Sequence, residues 1–211
     1  MRTGRLEAFS DGVLAIIITI MVLELREPAG TSLGALWHTT GSSLLSYLLS
    51  FVYVGIYWTN HHHMFQLTDR VTGAILWANL GLLFCLSLFP FTTDWTDHTD
   101  YARTPVFVYG VNLLAAGVAY WVLQSVIIRS QGADSPLHKA IGRDFKGKVS
   151  PAGYVLGCVA ALFGSSTGSG RVAIWIAVGF YVAVALLWVI PDRRIENVVT
   201  ADPEPDQEDP R

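Results

Sequence analysis

Charge is what this chain has least of. Only 15% of its 211 residues are Asp, Glu, Lys or Arg, against about a quarter in an ordinary soluble domain. With 52% hydrophobic residues and a mean hydropathy of +0.42, that shortfall excludes a typical soluble enzyme and a disordered chain. A net charge of −3 and a pI near 6.0 supply no basic field, which excludes nucleic acid as a partner. Cysteine is also scarce. Cys85 and Cys158 both sit in apolar runs, with no CxxC spacing, so neither a disulfide framework nor a thiolate metal site is expected. No G-x-S-x-G, Walker A, HExxH or dinucleotide fingerprint falls where it could act. The chain carries no tandem repeat.

What is present is long uncharged runs. Residues 39–60, 71–93, 104–128, 149–170 and 172–191 contain no Asp, Glu, Lys or Arg. Each has 20 to 25 residues, and about 20 apolar residues suffice to cross a bilayer core. The first apolar segment is shorter, with an uncharged stretch of only 12 residues, 12–23. It has the basic start of a secretory signal in Arg2 and Arg5. However, Glu7 and Asp11 stand close to the apolar stretch, and no A-x-A cleavage pattern follows Leu23, which favours a retained span. The reading is an all-α integral membrane protein with six transmembrane helices. They cover about 6–25, 41–62, 73–93, 105–128, 150–168 and 172–190 within a domain of residues 1–195. Residues 129–148 are read as a basic connection broken by Ser135, Pro136 and Gly142, and 164–170 as a tight turn. Residues 196–211 are acidic and proline-rich, the composition of a disordered tail.

Six spans allow the basic residues to be sorted by side. The N-terminus, the second and fourth connections and the C-terminus hold all but Arg26, Arg103 and Arg171 of the 14 Lys and Arg. The positive-inside rule then puts both termini in the cytoplasm of a multi-pass protein. Trp37, Trp58, Trp95, Tyr101, Trp175 and Trp188 fall near span ends, where amphipathic rings favour the interface.

Polar residues inside such spans are costly, about 2.5–3.5 kcal/mol for a charge near mid-bilayer, so they mark function or helix contacts. The first span starts with Arg5, Glu7, Ser10 and Asp11 and carries Thr19 further on. At about 100° per residue, Arg5, Phe9, Gly12, Ile16, Thr19 and Leu23 share one stripe bordered by Ile20. Their heptad-like steps suit a seam that packs helices or lines a narrow pore. Asp11 lies well off this stripe, so it and Arg5 reach different neighbours. The second span ends in Trp58, Thr59, Asn60 and the run His61, His62, His63. Consecutive helical residues diverge by about 100°, so these three histidines cannot converge on one ion, and no metal site is expected. Asn79 in span three is suited to bond a neighbouring helix, and Gly153 with Gly157 form a GxxxG that permits close approach.

The run from Arg5 to Asp11 fits an R-x-x-x-F-S-D signature. It is followed by Trp58-x-x-His61-His62-x-x-Phe65, by Asn79-Leu80, and by 88–93 with Pro90-Phe91 at its centre. In these motifs the chain resembles the transmembrane protein 175 family of potassium channels, found in endosomes and lysosomes of animals and in prokaryotes. The resemblance covers the first half; spans four to six match only in length and hydrophobicity. It implies a channel without a re-entrant carbonyl filter, and the chain has no T-V-G-Y-G run. It implies a first helix lining a central pore in a homotetramer, since the two-repeat animal protein works as a dimer and this chain has one repeat. By position, Ile16 matches the family's bottleneck, Thr19 the threonine linked to potassium preference, and Ile20 and Leu23 further apolar layers. Arg5, Phe9, Ser10 and Asp11, with Trp58, His61, His62 and Asn79, would form the network that fixes the first helix. The expected partners are K+, membrane lipid and copies of the chain itself, in the cell membrane, with no cofactor beyond the permeant K+. The alternative is a membrane-embedded redox or metal-dependent enzyme using Asp11 and the cluster His61–His63.

Overall fold

The computed structural model describes residues 3–132, 135, 137, 145–165 and 167–189. The tail expected at 196–211 lies outside them, as do Pro136 and Gly142 of the fourth connection. Among the described residues all regular structure is helical. The helices are α1 (Thr3–Leu23), α2 (Leu33–Gln66), α3 (Gly73–Ser87), α4 (Phe89–His98), α5 (Arg103–Gln131), α6 (Phe145–Leu162) and α7 (Gly168–Val189). With α3 and α4 taken together, six helical rods result.

Five of these are long and apolar enough to cross a membrane, and α1 is one of them. Its 21 residues give about 31 Å at 1.5 Å per residue, the thickness of the hydrocarbon core. The helix reaches this length because Arg5, Glu7 and Asp11 continue the helical backbone below the uncharged stretch. The sixth rod is α6, whose opening residues include Lys146 and Lys148. It starts at Phe145 rather than at 150 and ends at Leu162 rather than at 168. The turn before α7 is correspondingly displaced from 164–170: Gly164 N–H bonds Ala161 O at 2.9 Å, and α7 already begins at Gly168.

Local chemistry sets the other boundaries. Ser32 caps α2, its hydroxyl accepting from Ala35 N–H, and Thr72 caps α3 in the same way toward Ile75. The third span breaks at Leu88 because Pro90 opens α4 without an N–H to donate. At 34 residues, α2 runs to about 51 Å, well past both ends of the expected 41–62.

The rods pack in a defined order. α1 lies on α2, α3 and α4, α5 packs on α3, α4 and α6, and α6 also packs on α7. Where lipid replaces water, such contacts depend on close packing and interhelical hydrogen bonds. The α6–α7 contact shows the first. A Cβ at Gly153 would come within 2.6 Å of Val184 Cγ2, and one at Gly157 would overlap the Tyr181 ring. The second appears at Tyr53, whose hydroxyl donates to the Tyr181 carbonyl and joins α2 to α7. Around it lies a core that includes Val54, Phe89, Leu113, Leu123 and Tyr154.

Candidate functional site

The two faces of α1 differ sharply. Leu6, Ser10, Leu14, Ile17 and Met21 are buried against the neighbouring helices. Arg5, Phe9, Gly12, Ile16, Thr19, Ile20 and Leu23 are exposed, with Ile16 at 57% and Leu23 at 79%. The seam read from the periodicity is therefore bare in the single chain. The Thr19 hydroxyl donates back to its own helix, to Ile16 O at 2.9 Å and Ala15 O at 3.1 Å. With its proton occupied, the oxygen presents its lone pairs on the exposed seam.

The other face of α1 is tied to α2 and α3 by three polar links, all near one end. The innermost is buried: Asn79 Nδ2 donates to Ser10 Oγ at 3.0 Å, and Asn79 Oδ1 lies 2.8 Å from His61 Nε2. Because Oδ1 only accepts, this pairing assigns the ring proton to Nε2. The Ser10 hydroxyl in turn donates to Leu6 O at 2.9 Å. A single run of donors thus passes from α2 through α3 into the backbone of α1. His61 Nδ1 is left buried without a partner. The second link is Trp58 Nε1 donating to Asp11 Oδ1 at 3.0 Å, and the third is Glu7 Oε1 at 2.6 Å from His62 Nδ1. The Trp58 and His62 rings stack with an interplanar angle of 18°.

Of the residues singled out in the sequence, Ser10, Asp11, Trp58, His61, His62 and Asn79 come together in these links. Arg5 and Phe9 do not; both are exposed, and Arg5 makes no ion pair among the described residues. Glu7 is the participant that the motif did not single out. Its signal was spacing: Glu7 and Asp11 are four apart on one helix, as are Trp58 and His62 on the next, so two pairs meet in register.

A second polar belt joins α2 to α4 and α5 nearer the other end. Ser50 bonds Thr93 at 2.6 Å and Tyr109 at 3.0 Å, Ser46 bonds Tyr101 at 2.7 Å, and the Ser43 hydroxyl donates to Asp97. Burial pushes the Tyr101 hydroxyl above its ordinary value; the Ser46 bond opposes this, and Asp97 and Asp100 add to it. At the α4–α5 corner Asp100 and Tyr101 both take positive φ, 50° and 57°, and Arg171 pairs with Asp100 at 2.9 Å. Among the described residues no three His, Cys, Asp or Glu side chains converge as a metal site.

A helical multi-pass bundle with internal polar clamps and long apolar helices defines an integral membrane protein. Comparison with known proteins narrows the class. The family model described as endosomal/lysosomal potassium channel TMEM175 matches residues 5–90. A potassium channel of Chryseobacterium sp. (strain P1-3) is 52% identical over 197 residues, covering 93% of this chain and 97% of that one. The crystal structure of a lysosomal potassium-selective channel TMEM175 homolog from Chamaesiphon minutus superposes with a TM-score of 0.71 at 28% identity. That match covers 90% of this chain and 97% of the other. Human TMEM175, named an endosomal/lysosomal proton channel, is 38% identical over 95 residues, 40% of this chain and 18% of its own length. The chain belongs to the TMEM175 family. The likeness extends well past the first half that carried the motifs. The family and these relatives are named ion channels, not enzymes, which overturns the redox or metal-enzyme alternative.

Proposed function

We propose that the chain is one subunit of a potassium-selective channel that passes K+ down its gradient, with four copies placing α1 around a central pore. Ile16 forms the hydrophobic constriction, Thr19 the selectivity layer, and Ile20 and Leu23 further apolar layers. The observation that carries this reading is the asymmetry of α1. One face is buried and clamped, while the opposite face, from Gly12 through Ile16 and Thr19 to Leu23, is left bare.

The physical chemistry follows from that face. Four isoleucine side chains in a ring exclude water when close together and form a barrier to a hydrated ion. One turn away, four hydroxyl oxygens whose protons are engaged by the helix backbone offer only lone pairs, which suit a cation that has shed part of its water. Potassium sheds that water more readily than sodium. The links to Asp11, Ser10 and Glu7 hold the rotation of α1, so that this face meets the axis. The protein sits in the cell membrane with both termini in the cytoplasm, a reading supported by the distribution of Lys and Arg.

The test is a recording from the purified protein in a planar bilayer with potassium on one side and sodium on the other. A reversal potential displaced toward the potassium equilibrium value is expected. A preparation of native size that passes no current, or one that reverses at zero under this gradient, overturns the reading.

A further inference from the structure

A cavity of about 280 Å³ opens between α2, α5, α6 and α7, at the end of the bundle where α2 finishes and α6 begins. It is separate from the bare face of α1. Its wall is rich in aromatic rings, including Tyr57, Trp121, Tyr154 and Trp188, and none of the described residues lining it is charged. The Ser150 hydroxyl on that wall is engaged both ways: it donates to Lys146 O and accepts from Trp188 Nε1, both at 2.7 Å. Gln124 is different. It lines the cavity half-buried and bonds no group among the described residues, so its amide is available to a ligand.

The rim is basic. Gly147 lines the cavity, and Lys146 and Lys148 stand on either side of it in the chain. The Lys146 ammonium lies 5.9 Å from the centroid of the Trp188 ring, a cation–π distance that keeps it over the aromatic wall. Lys148 is exposed. An apolar slot with one available amide and a lysine at its mouth, at the headgroup level of a membrane protein, matches one ligand chemistry.

We propose that this cavity binds an anionic glycerophospholipid from the leaflet facing that end. One acyl chain enters the aromatic slot, the Gln124 amide donates to an ester carbonyl, and the phosphate lies against Lys146. The volume is near the lower bound of small-molecule sites, about 300 Å³, which admits part of a chain and excludes a helix from a second copy. Tyr57 and Asn60 line the cavity and are neighbours in the chain of Trp58 and His61, so the bound lipid braces the turn of α2 that clamps α1. A cation near an anionic lipid surface contributes about a five-fold preference, so Lys146 sets the headgroup choice. The inference depends on membrane embedding and not on which face lines the pore.

The test is native mass spectrometry of the full chain in detergent, titrated with phosphatidylglycerol and phosphatidylcholine of identical chains. Wild-type protein should retain phosphatidylglycerol at least five-fold more strongly. The variant Lys146→Gln should lower its retention to the phosphatidylcholine level. At Gly117 a Cβ would sit 3.5 Å from the Tyr154 ring, so Gly117→Leu should fill the slot and lower retention of both lipids. Gln124→Leu keeps the volume and should weaken both by several-fold without changing their ratio. Equal retention of the two lipids by wild-type protein overturns the proposal, as does phosphatidylglycerol retention unchanged by the lysine and Gly117 variants. Retention is read without current, so failure of the channel reading would leave this result standing.

Discussion

Single substitutions on α1 separate the exposed face, proposed to line the pore, from the packed face. Ile16→Asn places an amide on the seam, wets the constriction, and should raise leak and reduce discrimination between potassium and sodium. Thr19→Val removes the hydroxyl at nearly constant shape and should lower selectivity while current persists. Ile17 is only 3% exposed, so Ile17→Val should cost about 0.5–1.5 kcal/mol of stability and leave the reversal potential where it was. Reversal potentials under a potassium–sodium gradient, with thermal melts alongside, check all three. A shift at Ile17 with none at Ile16 or Thr19 would place the pore on the wrong face. The clamp makes a second contrast. Asn79→Ala strands the His61 N–H and the Ser10 oxygen in a buried site, and should cost about 2–4 kcal/mol. Asp11→Asn keeps an acceptor for the half-exposed Trp58 ring and should cost under about 1 kcal/mol. These residues were legible because intramembrane polar groups are rare enough to stand out. What the sequence did not disclose is their pairing. Asp11 meets Trp58 and Glu7 meets His62, a register that depends on how α1 and α2 cross and that no single helix encodes.

At the scale of the helix, charge-free length located the six rods, and the helices end elsewhere than the uncharged runs. α2 was expected over 41–62 because charge-free length defines a span, yet helix continues through polar residues to Leu33 and Gln66. Hydrogen bonding stops at a cap or a proline, whereas hydropathy stops at the membrane. The α3–α4 break at Leu88 follows the first rule. The GxxxG of α6 was read as permission for close approach, and the structure supplies the partner: Gly153 meets Val184 and Gly157 meets Tyr181 of α7. Gly157→Leu should therefore push the Tyr181 ring off its site, where its hydroxyl donates to Val106 O. The expected loss is about 1–3 kcal/mol, measured as a lower melting temperature in detergent. An unchanged melt would mean that α6 and α7 part without penalty.

For the molecule as a whole, sidedness and assembly are the open quantities that experiment reads directly. In a background lacking Cys85 and Cys158, Lys148→Cys and Thr31→Cys place thiols at exposed positions on opposite ends of the bundle. An impermeant maleimide added outside intact cells should label position 31 and spare 148. Labelling of both from one side would contradict the six-span arrangement. Ser135, although it lies in a connection, is buried and would make a poor reporter, which composition alone could not reveal. Light scattering should give the mass of four 23.1 kDa chains after subtraction of detergent, and a monomer with normal current would refute the four-fold pore.

All three links of the clamp attach α1 between Glu7 and Asp11; beyond Gly12, among the described residues, only apolar packing holds it on one face. Mechanically, α1 is a rod keyed in a socket at its base and seated along its length by Leu14, Ile17 and Met21. Hydrogen bonds are directional and apolar contacts are not, so the base fixes which side chains face outward and the shaft supplies the hold. Chemical identity and grip are set at different heights: changes between Glu7 and Asp11 alter which way the rod is turned, and changes at Leu14, Ile17 or Met21 alter how firmly it is held.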